Sequence, residues 1–456
     1  MAGIGFELRR ILKRRSYLAM AEAYGYAGLA SSGPWLLSIF GILLLGFLAL
    51  GDRATGGSII EFQVSVTYLI AVSLIFTGAL QLPFTRYIAD MLFARQARSV
   101  VTVLLTMLVS AVVPGALFAA AALRLFFDGT PWLYQVLMGI AFVELCGVWI
   151  LTILGTSLKD YKILVMGYLL AYGLVVGLGL ILGRRYGLDG YLLAFALGQL
   201  TLLLGLGILV IRQFPGPIHW PERRANRLFW SLSLAGVAFN LAVWTDKFWF
   251  WFYPSTSVAI IGPLRASPIY DVPIFLSYLL IVPGLAVFLF RMETDFVEAY
   301  DAYNRAIVGG GTYAELRGAK LGMIQATRTG LWDIAKIQGI TVVLALVFAR
   351  SLLAHLGYSG NYVRLFRFDV IGTSLQLLLM SLLNVYFYLD LRGRTVLLTL
   401  LFLIGNFLLT GMTLVLGPFF YGLGFLGSLL ITDLLGLSML SRDLQGIDYL
   451  TFVRAR

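Results

Sequence analysis

The residues that can do chemistry in this sequence are charged side chains standing inside apolar runs. Glu144 stands near the middle of the run 132–155, and Asp433 stands mid-run at 421–440. Asp246 and Lys247 stand side by side in Asn240-Leu-Ala-Val-Trp-Thr-Asp-Lys-Phe-Trp-Phe-Trp-Phe, and Arg350 lies toward the far end of the run 337–357. An Asp, Lys or Arg at the centre of a membrane helix costs about 2.5–3.5 kcal/mol on insertion scales, so each needs a physical reason. An acid or base kept at depth can line a wet path, hydrogen-bond a polar solute or exchange a proton. The competing readings are structural. Glu144 and Asp433 can be hydrogen-bonded acids between helices, and Arg350 can snorkel to an interface. Lys247 can snorkel to the outer interface with Asp246 in the same wet belt, among the aromatic girdle of Trp244, Phe248, Trp249, Phe250 and Trp251. Successive helical residues point about 100° apart, so adjacency alone does not pair Asp246 with Lys247. Neutral Asn240, Asn384, Asn406 and Gln376 are cheaper to bury and suit interhelical hydrogen bonds. Trp149 and Trp244 offer ring faces on which a sugar can stack.

No catalytic constellation accompanies these groups. The sequence has no nucleophile elbow, no Walker loop and no acid pair on an outer loop. The single cysteine, Cys146, rules out an intrachain disulfide framework. His219 and His355 are far apart, and Glu144 and Cys146 at i, i+2 face apart on a helix, so no metal site and no cofactor is expected.

The elements that position these residues follow from composition. The chain has 456 residues, 60% hydrophobic and 12% charged. A soluble domain carries about 25% charged residues, so this chain is expected to be an integral membrane protein. Apolar runs of about 20 residues suit spanning helices, whereas barrel strands would alternate polar and apolar residues. The spacing predicts an all-α polytopic fold with about 12 spans. The first six fall at roughly 29–50, 62–85, 100–122, 132–155, 163–183 and 191–211. The second six fall at roughly 228–252, 271–290, 337–357, 368–390, 395–416 and 421–440. The pairs Gly173, Gly177 and Gly179, Gly183 carry a small-residue spacing that predicts close helix packing.

The net charge of +11 suggests nucleic acid in a soluble protein. In a membrane protein it reads better as topology signals, and no nucleic-acid partner is expected. About 25 of the 34 Lys and Arg fall on one side if the amino terminus is cytoplasmic. That places both termini in the cytoplasm. Residues 1–28 read as a basic amphipathic surface segment, and the long run that follows argues against a cleaved signal peptide. The lobes are then 29–212 and 228–441, joined by a cytoplasmic linker 213–227 and followed by a tail 442–456. Two longer cytoplasmic connections, 86–99 and 291–336, occupy equivalent places in two halves of six spans, which predicts a parallel pseudo-two-fold repeat. Gly309-Gly310-Gly311 reads as a flexible break between two surface helices. The first of these carries Phe296, Tyr300, Tyr303 and Ile307 at helical spacing, so Tyr300 and Tyr303 are expected on a face that docks a partner or lies on the bilayer.

The start, Met-Ala-Gly-Ile-Gly-Phe-Glu-Leu-Arg-Arg-Ile-Leu, resembles that of the membrane transporter family of the Pel exopolysaccharide system. Phe84-Thr-Arg-Tyr-Ile-Ala-Asp90, Thr245-Asp-Lys-Phe-Trp-Phe-Trp251 and Phe290-Arg-Met-Glu-Thr-Asp-Phe296 are similar to that family as well. The resemblance covers the whole chain in length and span count. It implies membership of the multidrug, oligosaccharidyl-lipid and polysaccharide exporter (MOP) superfamily, with a MATE-like fold of two six-helix lobes around a cavity and alternating access. It also implies an amino-sugar polysaccharide rich in N-acetylgalactosamine as substrate. The implied partners are a cytosolic glycosyltransferase and companion inner-membrane subunits.

The expected function is therefore export of this biofilm polymer from cytoplasm to periplasm, by alternating access or channel-like passage and without enzymatic activity. The alternatives are a flippase for a lipid-linked oligosaccharide, a cation-coupled drug exporter, a membrane-embedded glycosyltransferase and a scaffold for a cytosolic one. The long loop 291–336 is read as cytoplasmic, which counts against the embedded enzyme. The candidate substrate path comprises Glu144, Asp246, Lys247, Asp433, Arg350, Asn240, Asn384, Trp149 and Trp244, with Glu144 and at least one of Asp246 and Asp433 facing a shared cavity.

Overall fold

The computed structural model describes residues 16–50, 56–93, 100–155, 161–214, 216 and 229–449. The amino-terminal segment through residue 15, the linker 217–227 and the tail from residue 450 lie outside the described residues, as do 94–99 of the first cytoplasmic connection.

Apolar runs become helices throughout. They are α1 Tyr17–Leu50, α2 Gly56–Phe93, α3 Val100–Phe126, α4 Trp132–Gly155, α5 Tyr161–Gln213 and α6 Trp230–Phe252. After a short hairpin, β1 Val258–Ile261 and β2 Leu264–Ala266, come α7 Pro268–Leu279, α8 Val282–Arg291, α9 Val297–Val308, α10 Tyr313–His355, α11 Asn361–Tyr388, α12 Arg392–Leu416 and α13 Leu423–Gln445. Among the described residues, eight helices are long and apolar enough to cross a membrane, or nine if the bent pair α7 and α8 counts as one span. Hydroxyl side chains along these helices are answered locally. In α2, Ser65, Thr67 and Thr77 each donate to the carbonyl four residues back at 2.7 Å, which leaves no hydroxyl proton facing hydrocarbon. Large apolar side chains face outward in numbers that water would not tolerate, Leu117, Ile181 and Val347 among them.

Several expectations need correction. The helix α1 starts at Tyr17, inside the segment read as 1–28, and runs on to Leu50, with Leu37–Ala49 as its shorter apolar stretch. One helix, α5, carries both the fifth and sixth spans. Gly187 breaks it with φ 59° and ψ −132°, a conformation that favours glycine. The turn is tight enough that a β-carbon on Gly190 would sit 2.1 Å from the Leu182 carbonyl oxygen. The eighth span, 271–290, is broken, with α7 and α8 meeting at a 41° bend next to Pro283 at the start of α8. The second surface helix and the ninth span are one 43-residue helix, α10. Its start is fixed by a capping box in which Thr312 and Glu315 exchange hydrogen bonds. Gly309–Gly311 is an ordered turn, with the Gly311 N–H bonded to the Ala306 carbonyl at 2.9 Å.

The chain divides into two compact units. The first comprises Gly33–Trp244 and Phe250–Pro268; the second comprises the described residues through Ser32, Thr245–Trp249, and those from Ile269 on. The division therefore cuts through α6 instead of falling at 213–227. In the first unit, α4 packs against α2, α3 and α5. Where α2 meets α6, Gly236 stands so close that a β-carbon on it would lie 2.1 Å from the Gly78 carbonyl oxygen. The hairpin is held to α2 by the Tyr68 hydroxyl, which donates to the Arg265 carbonyl at 2.9 Å. In the second unit, α13 packs on α11 and α12, and α10 packs on α8, α9 and α11. Ala349 and Leu353 of α10 meet Phe366 and Val370 of α11 in a closed apolar cluster.

Candidate functional site

The second unit builds its polar centre on Asp246 and Lys247 of α6. Lys247 donates to Asp246 Oδ2 at 3.0 Å. Asp246 also receives the Tyr270 hydroxyl from α7 and the Asn406 amide from α12 at 3.1 Å. Asn406 is oriented by Thr410, whose hydroxyl donates to its Oδ1 at 2.7 Å. Lys247 reaches the Tyr278 hydroxyl at 3.4 Å, and Tyr278 donates onward to Gln376 of α11 at 2.7 Å. The ammonium also lies 5.1 Å from the Tyr278 ring centre and 5.4 Å from that of Phe425, within cation–π range. Lys247 is 5% exposed and Asp246 fully buried, so the pair is a core network and not a snorkelling pair at the interface. Charge-assisted bonds of this kind are stronger than neutral ones, and Asp246 and Lys247 are each held by more than one partner.

Asp369 of α11 is a further buried acid of the same unit and is absent from the expected set. It is fully buried, and neither carboxyl oxygen has a hydrogen-bond partner among the described residues. A β-carbon on Gly422, at the start of α13, would lie 3.2 Å from its Oδ1. The run 368–390 put it at a span edge in sequence; α11 begins at Asn361, so Asp369 lies two turns inside the helix.

The first unit places Glu144 differently. It lines an open crevice of about 490 Å³ between α3 and α4, walled by Ala116, Ala119, Ala120 and Gly139, with Arg124 and Gln135 also lining it. Glu144 is 8% exposed, and its Oε2 has no partner among the described residues. Gln135 is tied to the α3–α4 turn by bonds to the Phe127 and Thr130 carbonyls at 3.1 and 3.2 Å. Trp149, one helical turn and a half beyond Glu144, donates from its indole to Ser73 of α2 at 2.9 Å.

The remaining expected residues scatter. Asn240 lies at the α2–α6 contact, its amide 2.7 Å from where a β-carbon on Gly78 would be. Trp244 lies beside Trp251, ring centres 6.1 Å apart. Asp433 is buried in α13 with neither oxygen partnered among the described residues. Asn384 is half-buried in α11 and Arg350 is exposed on α10. Arg350 shares that outer face with Val343 and Val347, which fits a snorkelling base. Tyr303 corrects the docking expectation: it is 2% exposed and donates to Asp448 at 3.0 Å, so it faces its own unit. Tyr300 stacks with Phe296 and meets Tyr388 edge-on. Of the glycine pairs, Gly179 and Gly183 stand against Leu45 and Tyr191, whereas Gly173 and Gly177 face open space. Among the described residues no cluster of His, Cys, Asp or Glu has the arrangement of a metal site.

The fold itself is a transporter fold. A MATE transporter in its bent conformation is similar over 93% of this chain and 96% of that chain, with TM-score 0.64 and 14% identity. An outward-facing multidrug-resistance MATE transporter of the MOP superfamily is similar with TM-score 0.65 at 14% identity, over 93% of this chain and 97% of its own. A MOP superfamily transporter from Pyrococcus furiosus, described as having a binding pocket of reversed polarity, gives TM-score 0.62 at 14% identity, over 93% and 97%. No curated relative matches in sequence. The family described as "putative exopolysaccharide exporter (EPS-E)" matches residues 1–452. The chain therefore belongs to this exopolysaccharide-exporter family, PelG.

Proposed function

We propose that this membrane exporter moves a Pel-type amino-sugar polysaccharide from the cytoplasm to the periplasm, by alternating access or channel-like passage. The observation that carries the reading is the family match over residues 1–452, on a chain with a transporter fold. The Lys and Arg bias supports cytoplasmic termini. A cytosolic glycosyltransferase and companion inner-membrane subunits complete the system. Within the first unit, Glu144 is the side chain best suited to meet sugar hydroxyl or amide groups, because one oxygen is unpartnered and it lines a crevice. Asp246 and Lys247 are bonded to several groups of their own unit and serve better as its structural centre than as direct sugar contacts. Asp433 keeps a candidate role at the path.

A second reading, a flippase for a lipid-linked oligosaccharide, is favoured by the same crevice, whose small and branched apolar walls suit a hydrocarbon tail. One experiment separates the two. The chain is reconstituted with its synthase in vesicles that contain no lipid-linked sugar, with nucleotide sugar added on the cytoplasmic face. Polymer protected inside the lumen, absent without the transporter, supports polymer export. Polymer that stays outside until lipid-linked precursor is supplied favours the flippase, and polymer that stays outside in both cases sinks both readings.

A further inference from the structure

Helix α10 passes from a polar half into an apolar one without a break. Toward its carboxyl end it exposes Ile340, Val343, Val347 and Phe348, a face that hydrocarbon must cover. Ahead of that stretch the exposed side chains change character, and Arg328, Trp332 and Lys336 follow at four-residue steps. Each such step turns the side chain by only about 40°. The three therefore share one face, and Gly339 and Val343 continue it. The helix rises about 28 Å from Lys336 to His355, which matches a hydrocarbon core of ~30 Å. Trp332 and Lys336 accordingly stand at the level of the lipid headgroups, where an indole is favoured.

The charges on this face are one-sided. Along α10 the acids are Glu315 and Asp333, and Asp333 is already engaged. Its Oδ2 lies 2.6 Å from the Arg291 guanidinium, and its Oδ1 accepts from Lys336 at 3.1 Å. Glu315 lies about 20 Å along the helix from Arg328. The Lys336 ammonium also lies 5.7 Å from the Trp332 ring centre, within cation–π range. Arg328 has no ion pair among the described residues. Its planar fork is suited to two oxygens of one phosphate. Below the three side chains, Gly339 leaves the helix surface bare, with room for the first methylenes of an acyl chain.

We propose that the α10 face carrying Arg328, Trp332 and Lys336 seats the headgroup of an anionic phospholipid, with Arg328 on the phosphate and the acyl chain running down past Gly339 and Val343. The occupant is a lipid because the same face continues directly into one that hydrocarbon covers. It is an anionic lipid because the face holds an unanswered base and no unanswered acid. The inference goes beyond the export reading and does not depend on it.

The test uses the full-length protein purified in detergent and reads its Tm during titration with dioctanoyl-phosphatidylglycerol. A ligand of the folded state at a hundredfold excess over its Kd should raise Tm by about 5 °C or more. Dioctanoyl-phosphatidylcholine should give a smaller shift, and inorganic phosphate none. Arg328→Gln should reduce the phosphatidylglycerol shift to the phosphatidylcholine level while leaving the lipid-free Tm unchanged, since the side chain is exposed. Arg317→Gln removes an equally exposed base about 16 Å away on the same helix and should keep the full shift. Equal shifts from the two lipids, or an equal loss in Arg317→Gln and Arg328→Gln, overturn the site. A shift reproduced by inorganic phosphate assigns the face to a free anion and overturns the lipid. If Arg328→Gln keeps the phosphatidylglycerol shift but no longer recovers cytosolic proteins, the face belongs to a protein partner and the proposal fails.

Discussion

Gly236→Ala should destabilise the first unit, while Gly177→Ala should not, although both glycines lie inside long helices. A β-carbon on Gly236 would stand 2.1 Å from the Gly78 carbonyl oxygen. Carbon and oxygen of close-packed helices rest no nearer than about 3.3 Å, so α2 and α6 would have to part by about 1.2 Å at this crossing. The obstacle is backbone, which cannot rotate away as a side chain would. Overpacking costs typically 1–3 kcal/mol, and an unyielding partner puts Gly236→Ala at about 3. Alanine in place of glycine returns about 1 kcal/mol through helix propensity, leaving a net loss of about 2. At roughly 2–4 °C per kcal/mol for a unit of this size, Tm should fall by about 4–8 °C. Gly177 meets nothing within 4 Å, so there only the propensity gain remains and Tm should hold or rise by about 2–4 °C. The assay is thermal unfolding of the two purified variants beside the parent protein. Equal Tm for Gly236→Ala and Gly177→Ala would refute the reasoning, because the sequence context alone does not separate the two positions.

Glu144→Ala should reduce export of polymer while the protein remains in the membrane, and Glu144→Gln should reduce it mildly if the group only accepts hydrogen bonds; full activity of Glu144→Ala would show that the crevice acid does not meet the substrate. Tyr303→Phe removes a hydrogen bond to Asp448 and should cost about 1–2 kcal/mol without changing recovery of cytosolic partners, whereas a loss of partners at unchanged Tm would restore the docking role. On a Cys146→Ala background, a cysteine at Val308 should label from the cytoplasmic side and one at Tyr186 from outside, both positions being exposed; reversed labelling would refute the orientation.

What the sequence disclosed is what hydrophobic length can disclose. A run of about 20 apolar residues must become a helix, because lipid offers no partner to an open backbone group. Length is silent about breaks, and so the run 271–290 concealed the bend between α7 and α8, where Pro283 stands at a helix start that a spanning-length count does not see. It is equally silent about continuation, so α10 runs unbroken from a polar half into an apolar one. Glycine spacing marked four positions of which two touch anything, since spacing reports which residues share a face but not what stands opposite. The charged residues show the same limit more sharply. Asp246 and Lys247 were visible as expensive groups, yet their cost is offset by Tyr270 at 24 residues' separation and Asn406 at 160. No periodicity along one helix connects those positions; only the packing of α7 and α12 against α6 does. Residue type nonetheless carried information in advance, because a buried ion must find donors and Asn406 and Gln376 were among the few neutral amides standing in the apolar runs of the second half. Pairing isolated ions with isolated amides narrows the partners of Asp246 to a few residues, and the packing of α12 selects Asn406 among them. Asp369, at the edge of the run 368–390 in sequence, would have remained over, and in the fold neither of its oxygens finds a hydrogen-bond partner among the described residues.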